Sequence, residues 1–382
     1  MAESCMNCHR PGQVAPMTFL SYEEVRPWAR SIKLMVEQRI MPPWHADGTY
    51  PRGDHEFGND RRLTDQEIET IVAWVDAGTP RGEGEFRPPE FARADDGFLL
   101  TGELGPPDFV FEMEEGYEVP AGGSDLNLDI MVPTNLERDI WVQAAEVRGN
   151  FNVVHHNVVS IIGPDGEYAR TGRLASTVPG KQWDRFPEGS GKLIEAGSTL
   201  RFGLHYHPSN RAVVDTSRVG VWLVRDTITH ELHSSVVADP DLRIPPHEPN
   251  YESRGEFVFE TDAGITLFKP HMHYRGKDML YRVLRPGGAV DTLLWVPNYD
   301  MNWQISYEFA EPVPVQEGTV LEVIAHFDNS ARNPWNPDPT VQVLWGGDSR
   351  DEMMEGWFDY QVELDEPIVP EEQLRPVAQR NR

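Results

Sequence analysis

Two textures of hydrophobic patterning divide this chain. Near its start the apolar positions fall at helical spacing. Val25, Trp28, Ile32 and Met35 lie three or four apart behind Ser21, which is followed three residues on by Glu24. A second such run, from Ile68 to Val75, follows Thr64 and Glu67 and stops at Gly78. The pattern predicts a small helical domain over residues 1–85. Gly, Pro and acidic residues then displace it, and residues 86–107 read as a linker. Beyond them the apolar residues form short runs bounded by turn residues. Strands are expected at 109–113, 126–132, 141–147, 153–162, 199–206 and 219–224. After a Pro-rich break at 239–249, more follow at 255–259, 265–273, 280–284, 292–295, 303–309, 320–327, 341–345 and 354–362. The fold expected is mainly β with a small α domain. Two consecutive jelly-roll-like β-sandwiches occupy 108–238 and 239–382, the second ending in a C-terminal tail.

Composition agrees: 32 Gly and 32 Pro in 382 residues suit many strands and tight turns. The net charge of −28 repels nucleic acid and anionic lipid, so neither is expected as a partner. No apolar run approaches the roughly 18 residues of a membrane span.

The two cysteines stand in Cys5-Met-Asn-Cys8-His9, the attachment signature of haem c. Two thiols bond the porphyrin and the adjacent histidine ligates the iron. A redox dithiol is the rival reading; the neighbouring His9 and the lack of a preceding strand favour haem. Met41, in Ile40-Met-Pro-Pro-Trp44, is the candidate second axial ligand, with Met17, Met35, His45 and His55 as alternatives. Haem of this type is attached outside the bacterial cytoplasm. A periplasmic or otherwise exported location is therefore expected, and the absence of a signal peptide before Cys5 suggests a processed chain.

Further chemistry sits in the β region. His271 and His273, in Lys269-Pro-His-Met-His-Tyr-Arg-Gly-Lys277, are two apart in a predicted strand, so both rings share one face and can grip one metal. His155 and His156 are adjacent and converge only if their strand is bulged or they use different ring nitrogens. His205 shares a face with His207 in Leu204-His-Tyr-His-Pro208. Each group alone has a plain alternative as a core or solvated histidine, and Met353 alone reads as a core residue. A thioether joined to two imidazoles would be a soft set favouring copper(I) over zinc.

Taken together, residues 107–365 resemble the copper type II, ascorbate-dependent monooxygenases, the family of peptidylglycine α-hydroxylating and dopamine β-monooxygenases. The residues before them resemble a bacterial c-type cytochrome domain. The resemblance implies two copper ions. His155, His156 and His205 match the ligands of the electron-transferring copper. His271, His273 and Met353, the last in Gly346-Gly-Asp-Ser-Arg-Asp-Glu-Met353, match those of the copper where oxygen reacts. The implied activity is hydroxylation of a C–H bond in a small molecule by O2. Electrons would pass from an external donor through the haem held by Cys5, Cys8, His9 and Met41. Gly203, Lys269, Glu355 and Trp357 replace residues that serve substrate recognition or electron transfer in the peptide-acting members, and the family's disulfides are absent. A C-terminal glycine peptide is thus not the expected substrate, and the haem offers an alternative to ascorbate. The alternative function is a periplasmic haem/copper electron-transfer or copper-handling protein with no substrate.

The cysteine motif yields a direct test. Expression with haem-attachment machinery should give a c-type absorption spectrum that survives denaturation and acid-acetone extraction; haem lost to the solvent would remove Cys5 and Cys8 from that role.

Overall fold

A computed structural model describes residues 4–6, 8–11, 15–48, 55–84, 97–178, 181 and 183–369. It forms two compact units, one of residues 1–46 with 57–91 and the other of 47–56 with 92–382.

The first unit is built on short helices, Tyr22–Val25 and Ala29–Glu37 joined by a 3-10 turn, and Asp65–Asp76. Thr64 closes the expected capping box. Its hydroxyl accepts from Glu67 N–H, while the Glu67 carboxylate accepts from Thr64 N–H at 2.8 Å. Ser21 caps its helix through Glu24 N–H, but the Glu24 carboxylate reaches back to Leu20 N–H instead. Gly78, at φ +82, takes the left-handed conformation that ends the third helix. Val25, Ile32 and Val36 bury one face against Phe19, Met6 and Leu63, with Ile68, Ile71 and Trp74 packed alongside. Trp28, expected on that face, is exposed.

The second unit is mainly β and sandwich-like. Its longest sheet has Phe109–Glu112 at one edge, then Arg218–Leu223, Ile140–Arg148, Ser190–Ile194, Ile228–Ala238, Glu355–Ile368, Ala263–His271 and Tyr307–Val315. Neighbours are antiparallel apart from Ser190–Ile194 with Ile228–Ala238, which run parallel. A four-stranded sheet of Leu126–Pro133, Thr199–Tyr206, Val154–Ile162 and Tyr168–Thr177 packs on one half, sharing a core of Val142, Val147, Val159, Phe202, Val219 and Ile194. Another, of Tyr251–Val258, Val320–Phe327, Gly276–Leu284 and Val290–Val296, packs on the other half through Phe257 against Phe358 and Tyr281 against Phe268. Two sandwiches thus share one continuous sheet.

Part of the expected linker, 86–96, lies outside the described residues, as does the tail from 370 onward. The remainder corrects the expectation. Residues 98–104 pack into the second unit, with Phe98 edge-on to Trp222 at 6.0 Å and a short helix at Thr101–Leu104. The buried Glu146 carboxylate accepts from Leu99 and Leu100 N–H at 2.8 and 2.9 Å. The apolar cluster Phe98-Leu-Leu100 overrides its Gly- and acid-rich surroundings because it has a receiving surface.

A buried polar network fills the junction between the sandwiches. The Arg173 guanidinium lies 3.3 Å from both Asp359 oxygens and 3.6 Å from Asp184. Lys192, pushed down to about 8 by burial, donates to Ser234 Oγ at 2.6 Å. Burial works against the charge on Asp184, yet Lys181 and Arg173 hold its carboxyl down at about 2. Beside this network Gly172, at φ +65, lets two backbones touch: a Cβ there would sit 2.4 Å from the Ser234 carbonyl oxygen. Gly172→Ala should therefore destabilise the protein by about 2–4 kcal/mol in chemical denaturation, from strain and from forcing the sheets apart.

Candidate metal centre

His155 and His156 converge because their strand is bulged. Val154 pairs with Tyr206 and His156 with His205, so His155 is the extra residue. The ring centroids of His155, His156 and His205 lie 5.6, 5.2 and 4.7 Å apart, and one nitrogen from each falls within 4.8 Å of the others. His205 Nδ1 faces His156 Nε2 at 3.0 Å, while its Nε2–H points to Asp125 Oδ2 at 2.9 Å. The other Asp125 oxygen meets Nδ1 of the exposed His207 at 2.8 Å. A carboxylate behind an imidazole fixes its tautomer and leaves the opposite nitrogen for a metal. Buried Nδ1 atoms of His155 and His156 have no hydrogen-bond partner. Burial, then the neighbouring His205, pushes His155 down to about 4 and His156 well below the usual range. These are neutral imidazoles, the form that binds metal.

His271 ends its strand and His273 follows in a tight turn. Gln304 Oε1 accepts from His271 Nδ1 at 3.0 Å and the Asp351 carbonyl from His273 Nδ1 at 3.3 Å, so both rings keep Nε2 free. Their centroids are 5.2 Å apart with perpendicular planes. Burial lowers them to about 4 and about 3. Met353 is brought to this place by Glu352, which is fully buried and accepts from His273 N–H at 2.8 Å and Arg275 N–H at 2.5 Å. Burial pushes the Glu352 carboxyl up to about 8 despite those donors. Arg275, also buried, donates to Asn329 Oδ1 at 2.9 Å and to the Arg350 carbonyl at 2.7 Å, bracing the turn from behind.

His156 of the first group, and His271 and Met353 of the second, line one cavity of about 580 Å³ together with Lys269, Glu355 and Trp357 among others. Trp357 Nε1–H donates to the Glu355 carboxylate at 2.8 Å. In the first unit, Cys5, Cys8 and His9 share one turn, with Cys8 and His9 N–H both on the Cys5 carbonyl. His9 stacks on Phe19 at 4.2 Å and donates Nδ1–H to the Met17 carbonyl at 3.3 Å, leaving Nε2 as its lone pair. Met41 lies in the loop after Ala29–Glu37, its N–H on the Met35 carbonyl. No described contact joins it to that turn. Asp125, Gln304, Glu352 and Arg275 escaped the sequence reading. Only Glu352 carried a signal, as an acid set directly against Met353 and Met354.

No family model and no curated protein matches this chain. Among solved structures it is similar to a putative alpha-L-fucosidase from Bacteroides ovatus, at TM-score 0.20 and 10% identity over 72% of this chain and 41% of that one. It is also similar to the PBSX exported protein XepA, at TM-score 0.18 and 8% identity over 57% and 86%. The VP2 protein of infectious bursal disease virus gives TM-score 0.20 and 6% identity over 67% and 70%. Likeness at this level carries no argument.

The Asp125 contact generates a prediction. Asp125→Asn should weaken any binding of added transition-metal ions at the His155–His156–His205 group about 10-fold or more in titration against a chelator.

Proposed function

We propose that this chain is a copper-dependent monooxygenase that hydroxylates a C–H bond of a small molecule with O2. The observation that supports this reading is one cavity lined by His156, from a group of three imidazoles, and by His271 and Met353. The residues fit copper. The orphaned Nδ1 atoms of His155 and His156 and the free Nε2 atoms of His271 and His273 belong to buried imidazoles held neutral, and Met353 adds the soft ligand that favours copper(I). Copper bound there would supply the one-electron chemistry that activates oxygen.

The chain's own residues do the rest. Gln304 and the Asp351 carbonyl hold the tautomers of His271 and His273. Glu352 keeps Met353 in register with them, and Asp125 does the same for His205. Lys269, Glu355 and Trp357 line the space beside His271 and would contact a substrate.

The same proposal gives Cys5, Cys8, His9 and Met41 to a covalent haem c, which these residues would hold and which would make the first unit the entry point for electrons from an external donor. The Nδ1–H of His9 on the Met17 carbonyl supports this by orienting Nε2 outward. An exported location follows from that haem. No helix among the described residues is long and apolar enough to cross a membrane. A copper-handling protein without a substrate would need no 580 Å³ cavity beside Met353, which favours the enzyme.

Substitution of the thioether tests the reading. Met353→Leu keeps the volume, so the protein should fold and hold copper at the three-histidine group while losing oxygen consumption with every substrate tried. Zinc selected over copper by the unmodified protein, or equal loss of both coppers in the variant, would overturn the assignment.

A further inference from the structure

We propose that the two histidine groups form a single paired metal centre whose ions sit side by side, rather than two sites separated by an open cleft. This rests on the copper reading of both groups. His156, from the four-stranded sheet of one sandwich, and His271, from the long sheet, have ring centroids 6.4 Å apart with planes at 86°. The spacings inside the groups run from 4.7 to 5.6 Å, so the gap between groups is scarcely wider than the gaps within them. Five imidazoles make one contiguous cluster.

The fold fixes this separation. The sheet that carries His271 continues without a break into the first sandwich, where Gly172 and the Arg173–Asp359 contact lock it to the sheet that carries His156. On the other side Asn127, the strand partner of His205, donates Nδ2–H to the Gly347 carbonyl at 3.1 Å, tying the three-histidine group to the segment that carries Met353. Both Asn127 and Gly347 line the shared cavity, so the tie sits beside both groups. An electron moving between the two positions would then travel from imidazole to neighbouring imidazole. Neither a domain movement nor a bridging substrate is required.

Electron paramagnetic resonance of the full chain loaded with two equivalents of copper(II) reads the pairing directly. Copper is counted by mass spectrometry after excess is removed. The expected result is two coppers per chain with a spin count below two, or with dipolar broadening and a half-field transition. His271→Ala should bind one copper and give a narrow, full-intensity spectrum. Two bound coppers with full spin count, no half-field signal and lines as narrow as that variant's would overturn the pairing while leaving the two-copper reading intact. Fewer than two coppers on the unmodified protein would defeat that reading and the pairing with it. The half-field transition is measured on the unmodified protein, so the test survives a variant that fails to fold.

Discussion

The position of one strand governs the site. Glu355–Ile368 lies between Ile228–Ala238 and Ala263–His271, and its first residue stands opposite both Ala238 and His271. That backbone ladder joins the two sandwiches and puts Met353, two residues upstream, beside the histidine turn. Each ladder hydrogen bond is worth only about 1 kcal/mol net, but a central strand makes them on both edges, and a slip by one residue would turn every side chain over. Glu352 then removes the remaining freedom by taking two backbone N–H groups of the 273–275 turn.

Buried polar groups in this protein fall into two kinds. Arg173, Asp359, Asp184 and Lys192 pair with one another across the junction, although Arg173 Nε finds no partner, so much of their desolvation is offset and the contact specifies how the layers meet. By contrast, the buried Nδ1 atoms of His155 and His156 have no hydrogen-bond partner. A buried nitrogen left without a partner costs about 1–3 kcal/mol, a burden that a core position would shed by substitution.

Most of the strands, the Thr64 capping box and the pairing of His271 with His273 were legible because each rests on local periodicity or fixed spacing, whereas Tyr168–Thr177, Ser190–Ile194 and Ile228–Ala238 were not expected. The bulge at His155 was foreseeable as a condition: two adjacent strand residues cannot otherwise share a side. What stayed hidden depends on partners distant in sequence. Asp125 reaches His205 from 80 residues away, Glu352 reaches His273 across 79, and the shared sheet exists only through pairing of the last strand with one more than a hundred residues earlier. Phe98–Leu104 was misread as linker for the same reason, since its receiving surface, Trp222 and Glu146, lies far along the chain.

The central strand also sets the order in which this molecule can be made. Glu355–Ile368 follows both of its sheet neighbours in the chain, so as the polypeptide emerges the long sheet is two separate halves with raw edges until almost all of the chain has appeared. His155, His156 and His205 are complete well before that moment, whereas His271 and His273 wait for Met353. Assembly of the long sheet therefore has a built-in order, in which the strands that carry His155, His156 and His205 can pair while the edge that carries His271 is still an unpaired margin. The interval between them is when the molecule is most exposed to edge-to-edge association with another copy.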